Sequence, residues 1–316
     1  MRTQNLIEQA AVALKAGHLV AFPTETVYGL GADATNEKAV GRIYSVKSRP
    51  KDLPLIVHIS SVNQINKWAK EIPDYALNLA KEFWPGPLTL ILKRTQLAKD
   101  FITGGQAYIG IRVPNHYLAQ KLLIEFEKLG GQGIAAPSAN KFQQVSPTRA
   151  QHVMEDLGSV LSDQDLVLDG GISEIGIEST IIKCTDSEPE ILRPGFITES
   201  HLNKMFDIFS NKNNKLNRSI KHSGMHNKHY SPKAQIFVNA LPEESQGLIA
   251  LSNVPTPQGV IRLSKPKDNT EFAQDLYNSL RLADKLNLKF ISVFLPTIDG
   301  IGESIRDRVM KAANLD

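Results

Sequence analysis

Through residue 205 the chain alternates short apolar runs with amphipathic helical patterns, and Pro or Gly punctuates the joins. That alternation argues an α/β fold. Strands are expected at 18–22, 55–59, 88–92, 109–112, 134–136, 166–168 and 180–183, and helices at 3–16, 37–47, 62–68, 74–83, 117–129 and 149–157. Ser146-Pro147-Thr148 reads as the capped start of the last of these helices. At 316 residues a second domain is expected. The polar, basic stretch 211–218 marks the break, and beyond it strands at 234–238, 248–251, 259–263 and 290–295 surround a helix at 269–286, with a last helix at 302–313. The expected division is 1–205, a linker at 206–232, and a small α/β unit at 233–316.

Composition narrows the function classes. Net charge is +3, from 36 basic and 33 acidic residues, which suits an anionic ligand and is too weak to demand nucleic acid. The single Cys184 excludes an intrachain disulfide framework. The amphipathic N-terminus carries Glu8 and lacks the apolar core of a signal peptide, and no apolar run reaches membrane length, so a cytoplasmic protein is expected.

The chemistry concentrates at strand ends. Phe22-Pro23-Thr24-Glu25-Thr26-Val27-Tyr28-Gly29-Leu30-Gly31 reads as a strand stopped by proline that releases a hydroxyl-rich, glycine-closed loop able to hold a small polar ligand. Gly29 to Ala34 formally matches G-x-G-x-x-A, with Asp52 downstream. The polar insertion from Pro23 to Thr26 separates these glycines from the strand and argues against a dinucleotide site. Lys47-Ser48-Arg49-Pro50-Lys51 closes a helix, since Pro50 forces Arg49 out of helical geometry, and its three cations could clamp a polyphosphate or simply be solvated. No Walker A sequence occurs. His58 lies in the next strand, and Arg112 near the end of another, where a guanidinium fork suits a carboxylate. Small residues at 135–140, the loop 176–182 and Arg193 before a Pro-Gly turn complete the set. Three histidines at 222–229 lack a zinc-site spacing; a linker that presents Tyr230 to the site fits better.

Eight segments together, PTETVYGLG at 23–31, KSR at 47–49, WPGPLT at 84–89, IRVP at 111–114, APSAN at 136–140, GIESTI at 176–181, LRPG at 192–195 and HYSP at 229–232, closely resemble the threonylcarbamoyl-AMP synthase family. They fall in that family's order and extend over the whole chain, and the extra C-terminal unit resembles the long form rather than the single-domain YrdC form. The resemblance implies a twisted mixed-sheet catalytic domain with a small Rossmann-like C-terminal domain. It also implies a nucleotidyltransferase that makes threonylcarbamoyl-adenylate and pyrophosphate from L-threonine, bicarbonate and ATP, for threonylcarbamoyladenosine on tRNA. On that resemblance threonine would lie among Thr26, His58, Arg112, Ala136 and Ser179. ATP would lie along Lys47, Arg49, Leu53, Tyr108, Ser138, Asn140, Ser146 and Arg193, with Tyr230 reaching in, and Lys47 and Arg49 serving catalysis. The family linker reads close to S/A-P-G-M-K-Y-R-H-Y, whereas residues 222–230 lack the proline and one basic residue.

Such a reaction needs no protein nucleophile, which agrees with cations and hydroxyls unaccompanied by a Ser-His-Asp or Cys-His arrangement. Magnesium is expected on the triphosphate, held by phosphate oxygens and water rather than by protein side chains. The alternative is a double-stranded RNA or tRNA binding module, suggested by the basic linker with Lys212, Lys215, Arg218, Lys221 and Lys228.

Overall fold

Residues 2–204, 220–222, 224 and 229–315 are described by a computed structural model. Local sequence explains the first helices. Helix α1 (Arg2–Lys15) and α2 (Glu37–Lys47) flank a hairpin of β1 (Val20–Phe22) and β2 (Gly29–Asp33). The Asn36 side chain caps α2 by accepting from the Ala39 N–H, and α2 ends at Ser48 in a left-handed conformation, φ 52°. Its inward face is Ala39, Val40, Ile43 and Tyr44, and that face also carries Lys47 into the interior.

The chain continues through β3 (Ile56–His58), α3 (Ile65–Trp68), α4 (Asp74–Phe83), β4 (Leu88–Lys93), α5 (Asp100–Thr103), β5 (Tyr108–Arg112), α6 (Tyr117–Lys128), β6 (Ile134–Ala135), α7 (Ala150–Leu157), β7 (Leu166–Val167), β8 (Thr180–Lys183), β9 (Glu190–Arg193) and α8 (Glu199–Asn203). Among the described residues these strands make one mixed sheet in the order β7-β1-β2-β6-β3-β5-β4-β8-β9. Successive side chains of a strand face opposite ways, so Leu19 and Ala21 enter one core with α2 and α4 while Val20 and Phe22 enter another with α1 and α6.

A second, wholly parallel sheet runs β10-β13-β11-β12, from β10 (Gln235–Val238), β11 (Gly247–Ile249), β12 (Ile261–Ser264) and β13 (Phe290–Val293). It packs with α9 (Asn269–Lys285) and α10 (Gly302–Ala313). The expected α/β class, mixed sheet and smaller C-terminal α/β unit all appear.

Two local expectations need correction. The glycines at 29 and 31 do not close a loop; they belong to β2. A Cβ on Gly31 would stand 2.7 Å from Ile134 Cγ2 and 2.9 Å from the Phe22 ring, so glycine is required there for close packing rather than for a turn. Helix α7 starts at Ala150 without a cap from Ser146 or Thr148. Instead the Thr148 N–H donates to His152 Nδ1 at 3.2 Å, and the Ser146 hydroxyl is committed elsewhere. The basic stretch 211–218 and most of the expected linker, with Lys212, Lys215, Arg218 and Lys228, lie outside the described residues.

Candidate active site

The loop after β1 is folded by Thr24, whose hydroxyl donates to the Val27 carbonyl at 2.6 Å and accepts from the Val27 N–H at 3.2 Å. Its oxygen also lies 2.8 Å from the Thr26 hydroxyl. Backbone bonds then stitch this loop to the 136–140 loop: Leu30 N–H donates to Pro137 O, and Ala139 N–H to Tyr28 O. Two hydroxyl-rich loops are thus held side by side at the ends of neighbouring strands.

Strands β3 and β5 are parallel neighbours in which His58 faces Arg112 in register. This places a neutral imidazole beside a guanidinium, since burial and then the Arg112 charge push His58 down to about 3. Arg112 Nε donates to Gly86 O at 3.3 Å, and its Nη2 lies 2.8 Å from Glu25 Oε1, both side chains being buried. The pair is close yet poorly aligned: neither Glu25 oxygen nor Arg112 Nη2 completes a directed hydrogen bond. His58 Nδ1 and His229 Nδ1 are likewise buried without a hydrogen-bond partner among the described residues. Unsatisfied polar atoms gathered in one place are what a site for a polar ligand leaves open.

On the other side, Arg193 Nη2 donates to Ser179 O at 2.9 Å and to Ser179 Oγ at 3.2 Å, while Ser179 Oγ meets Thr89 Oγ1 at 2.8 Å. Glu178 accepts from Ser146 Oγ at 2.6 Å. Burial would raise its pKa, but the Arg308 and Arg193 charges and the hydrogen bonds from Ser146 and Arg308 outweigh that and hold it at about 2. Lys47 is 2% exposed; its Nζ donates to Ser138 O at 2.6 Å and also to Asn140 O. Burial, reinforced by the Arg49 charge, lowers its pKa well below the usual lysine value. His229, pushed down to about 3 mainly by burial, and Tyr230 form the roof.

Thr26, His58, Arg112, Ala136, Ser138, Ser179, Arg193 and Tyr230 line one cavity of about 40 Å³. That is well below the roughly 300–1,000 Å³ of small-molecule pockets. Lys47, Asn140 and Ser146 brace its wall from behind. Arg49 Nη2 donates to Pro54 O at 3.1 Å with the guanidinium over the Phe142 ring, and Leu53 is buried with its carbonyl accepting from Tyr44. Tyr108 stands apart, at the opposite end of β5 from Arg112 and packed on Ile91, Ile181, Leu192 and Ile220. Glu25, Glu178 and His229 join the site without having been among its expected residues, although each lies inside a quoted motif. The signal was an acid or imidazole embedded among hydroxyls and cations.

Asp52, placed at a ribose by a dinucleotide reading, instead pairs with Lys221 at 2.7 Å. Among the described residues no group of three His, Cys, Asp or Glu side chains is placed to hold a metal ion, and no helix is long and apolar enough to cross a membrane.

Residues 12–195 match the family described as Telomere recombination, and residues 197–314 match Threonylcarbamoyl-AMP synthase, C-terminal domain. A threonylcarbamoyl-AMP synthase of Pyrococcus abyssi is 38% identical over 97% of this chain and 94% of its own. The Bacillus subtilis protein of the same name is 38% identical over 97% of this chain and 92% of its own. A crystal structure of Pyrococcus abyssi Sua5 complexed with L-threonine superposes with a TM-score of 0.86 at 36% identity, covering 98% of this chain and 94% of that one. With two family matches that together span both sheets, and relatives alike over nearly their full length, the chain belongs to the threonylcarbamoyl-AMP synthase family.

Proposed function

We propose that this protein is a nucleotidyltransferase that forms L-threonylcarbamoyl-adenylate and pyrophosphate from L-threonine, bicarbonate and ATP. The observation that carries the reading is the buried Arg112 guanidinium with the neutral His58 imidazole beside it, lining one cavity with Ser179 and Arg193 and backed by Glu25. Arg112 receives the threonine carboxylate, and Glu25 keeps the guanidinium oriented. His58, neutral at pH 7, and Thr26 offer hydrogen bonds to the remaining polar groups of the amino acid.

The threonine nitrogen adds to the carbon of carbon dioxide in equilibrium with bicarbonate, forming the C–N bond and losing a proton. A carbamate oxygen then attacks the α-phosphorus of ATP, and the bond from that phosphorus to the pyrophosphate oxygen breaks. Lys47, Arg49 and Arg193 lie on the nucleotide side with Ser138, Asn140, Ser146, Leu53 and Tyr230, and Tyr108 lies furthest out. An arriving polyphosphate would favour the protonated form of Lys47, whose pKa burial has lowered. Magnesium enters with ATP as part of the substrate, on phosphate oxygens and water. The product, a mixed anhydride, is consumed in tRNA modification in the cytoplasm, and tRNA or a protein acting on it is the partner that receives the product.

The test is incubation with ATP, isotopically labelled bicarbonate and each amino acid in turn. Threonine-dependent pyrophosphate release and mass detection of the labelled anhydride are expected; release indifferent to threonine would overturn the reading.

A further inference from the structure

Helix α10 carries Arg308 at 0% exposure, with Nε and Nη1 hydrogen-bonded and Nη2 without a partner among the described residues; burying a guanidinium is costly unless acidic groups accept its hydrogen bonds. Two of its contacts lie outside the C-terminal sheet unit. Nε donates to Glu178 Oε2 at 2.9 Å, and the guanidinium carbon lies 5.5 Å from the centre of the Tyr230 ring. Nη1 donates to the neighbouring Asp307. From α9, the Tyr277 hydroxyl donates to the same Glu178 oxygen at 2.9 Å, and its ring stacks on Tyr230 at 5.5 Å and 27°. One carboxylate of the pocket wall and one ring of its roof are therefore held by the same two side chains.

Tyr230 itself is held against its local preference. Its φ is 61°, a left-handed angle that an aromatic residue keeps only when its surroundings enforce it. Its hydroxyl is buried without a hydrogen-bond partner among the described residues. A Cβ built on Gly224 would stand 2.6 Å from that hydroxyl and 3.4 Å from Arg193 Nη1, so the two polar ends converge. Arg308 is not alone in joining the two units. Arg281 grips Asp156 through two nitrogens at 3.0 and 2.6 Å, and the Ser304 hydroxyl donates to Gly195 O at 2.8 Å.

We propose that Arg308 is a positioning residue for the nucleotide side of the site: holding Glu178 with one nitrogen and standing against the Tyr230 ring, it fixes the roof over Arg193. The C-terminal unit then completes the active site rather than accompanying it. The proposal rests on the adenylate-forming reading for the identity of the nucleotide, but not for the placement of the roof.

The test pairs Arg308→Gln with Glu178→Gln, so that neither charge is stranded, and uses Ser304→Ala, which loses only the bond to Gly195 O, as an interface control. Amide hydrogen exchange at 229–231 and calorimetric titration with threonine and with a non-hydrolysable ATP analogue are read for each. In the double variant, exchange at 229–231 should rise and affinity for the ATP analogue fall, each by about tenfold or more, while threonine affinity stays within about twofold. The control should move neither. Exchange and ATP-analogue affinity both within about twofold of the parent would overturn the proposal, as would equal losses for both ligands. If the double variant does not fold, Tyr277→Phe removes one bond to Glu178 and keeps the ring stack; about threefold changes in the same direction are then expected, and none would count against the proposal. A parent protein that binds no nucleotide, with exchange still accelerated in the variant, would sink the reading of the reaction and leave the roof clamp standing.

Discussion

Arg112 and Glu25 are buried opposite charges 2.8 Å apart, and each would be unfavourable there alone. Their imperfect alignment leaves the guanidinium a donor to spare for an incoming carboxylate. Arg112→Ala should therefore weaken threonine binding by about 2–5 kcal/mol while changing ATP-analogue binding far less, measured by calorimetry; equal losses would contradict the assignment. Two histidines make a second prediction. His58 and His229 are held neutral, each pushed down to about 3, whereas the unfolded chain protonates them near the ordinary value of 6.5. Between those values the unfolded state holds the extra proton. Stability should thus be level with respect to these groups above pH 6.5 and fall as pH drops toward 3, by about 1.4 kcal/mol per pH unit for each histidine. Urea unfolding at pH 7.5 and pH 5 measures it, and equal midpoints would show that neither imidazole is held neutral.

At the scale of elements, β2 exists because its glycines let three chains approach. A Cβ at Gly31 meets Ile134 Cγ2, the Phe22 ring and, at 3.1 Å, the Val20 carbonyl, none of which is a flexible tip. Gly31→Ala should cost about 1–3 kcal/mol of overpacking. Gly41, inside α2 with nothing within 4 Å of an added Cβ, offers the opposite case. Gly41→Ala should raise stability by about 0.4–1 kcal/mol, and denaturant midpoints that move the same way for both would refute the packing argument. The pair also shows what the sequence could disclose. Apolar runs and helix periodicity placed β3, β4, β5, β8, α2 and α4 within a residue or two, because those signals are local. A glycine pair signals a turn on the same local grounds, and only the distant Ile134 decides that it is a strand. Similarly, His58 and Arg112 were each legible as strand-end residues, but their pairing follows from β3 and β5 being parallel neighbours in register, which no spacing in the sequence records.

For the whole molecule, the polar stretch at 211–218 suggests units joined by a linker, and packing also joins them directly. Val27, Val145, Ile175 and Ile177 share a core with α9, α10 and the second sheet. Glu178 meets Arg308 across 130 residues of sequence, a separation at which neither periodicity nor motif gives any hint of contact. The loop that carries Glu178 is seated so closely that a Cβ on Gly176, at φ 81°, would stand 2.4 Å from Gln274 Cα and 2.6 Å from Ala273 O. Those atoms are helix backbone and cannot swing aside, so Gly176→Ala must lift either the loop or α9. Because the loop also supplies Glu178, which is held by the Arg308 and Tyr277 side chains that pack on Tyr230, the displacement should be felt both at the interface and on the nucleotide side of the pocket. The expected outcome is a single cooperative calorimetric transition in the parent, lowered but still single in Gly176→Ala, together with weaker ATP-analogue binding. Two separated transitions in the parent would mean that the shared core does not couple the units, and an unchanged nucleotide affinity in the variant would mean that α9 does not bear on the site.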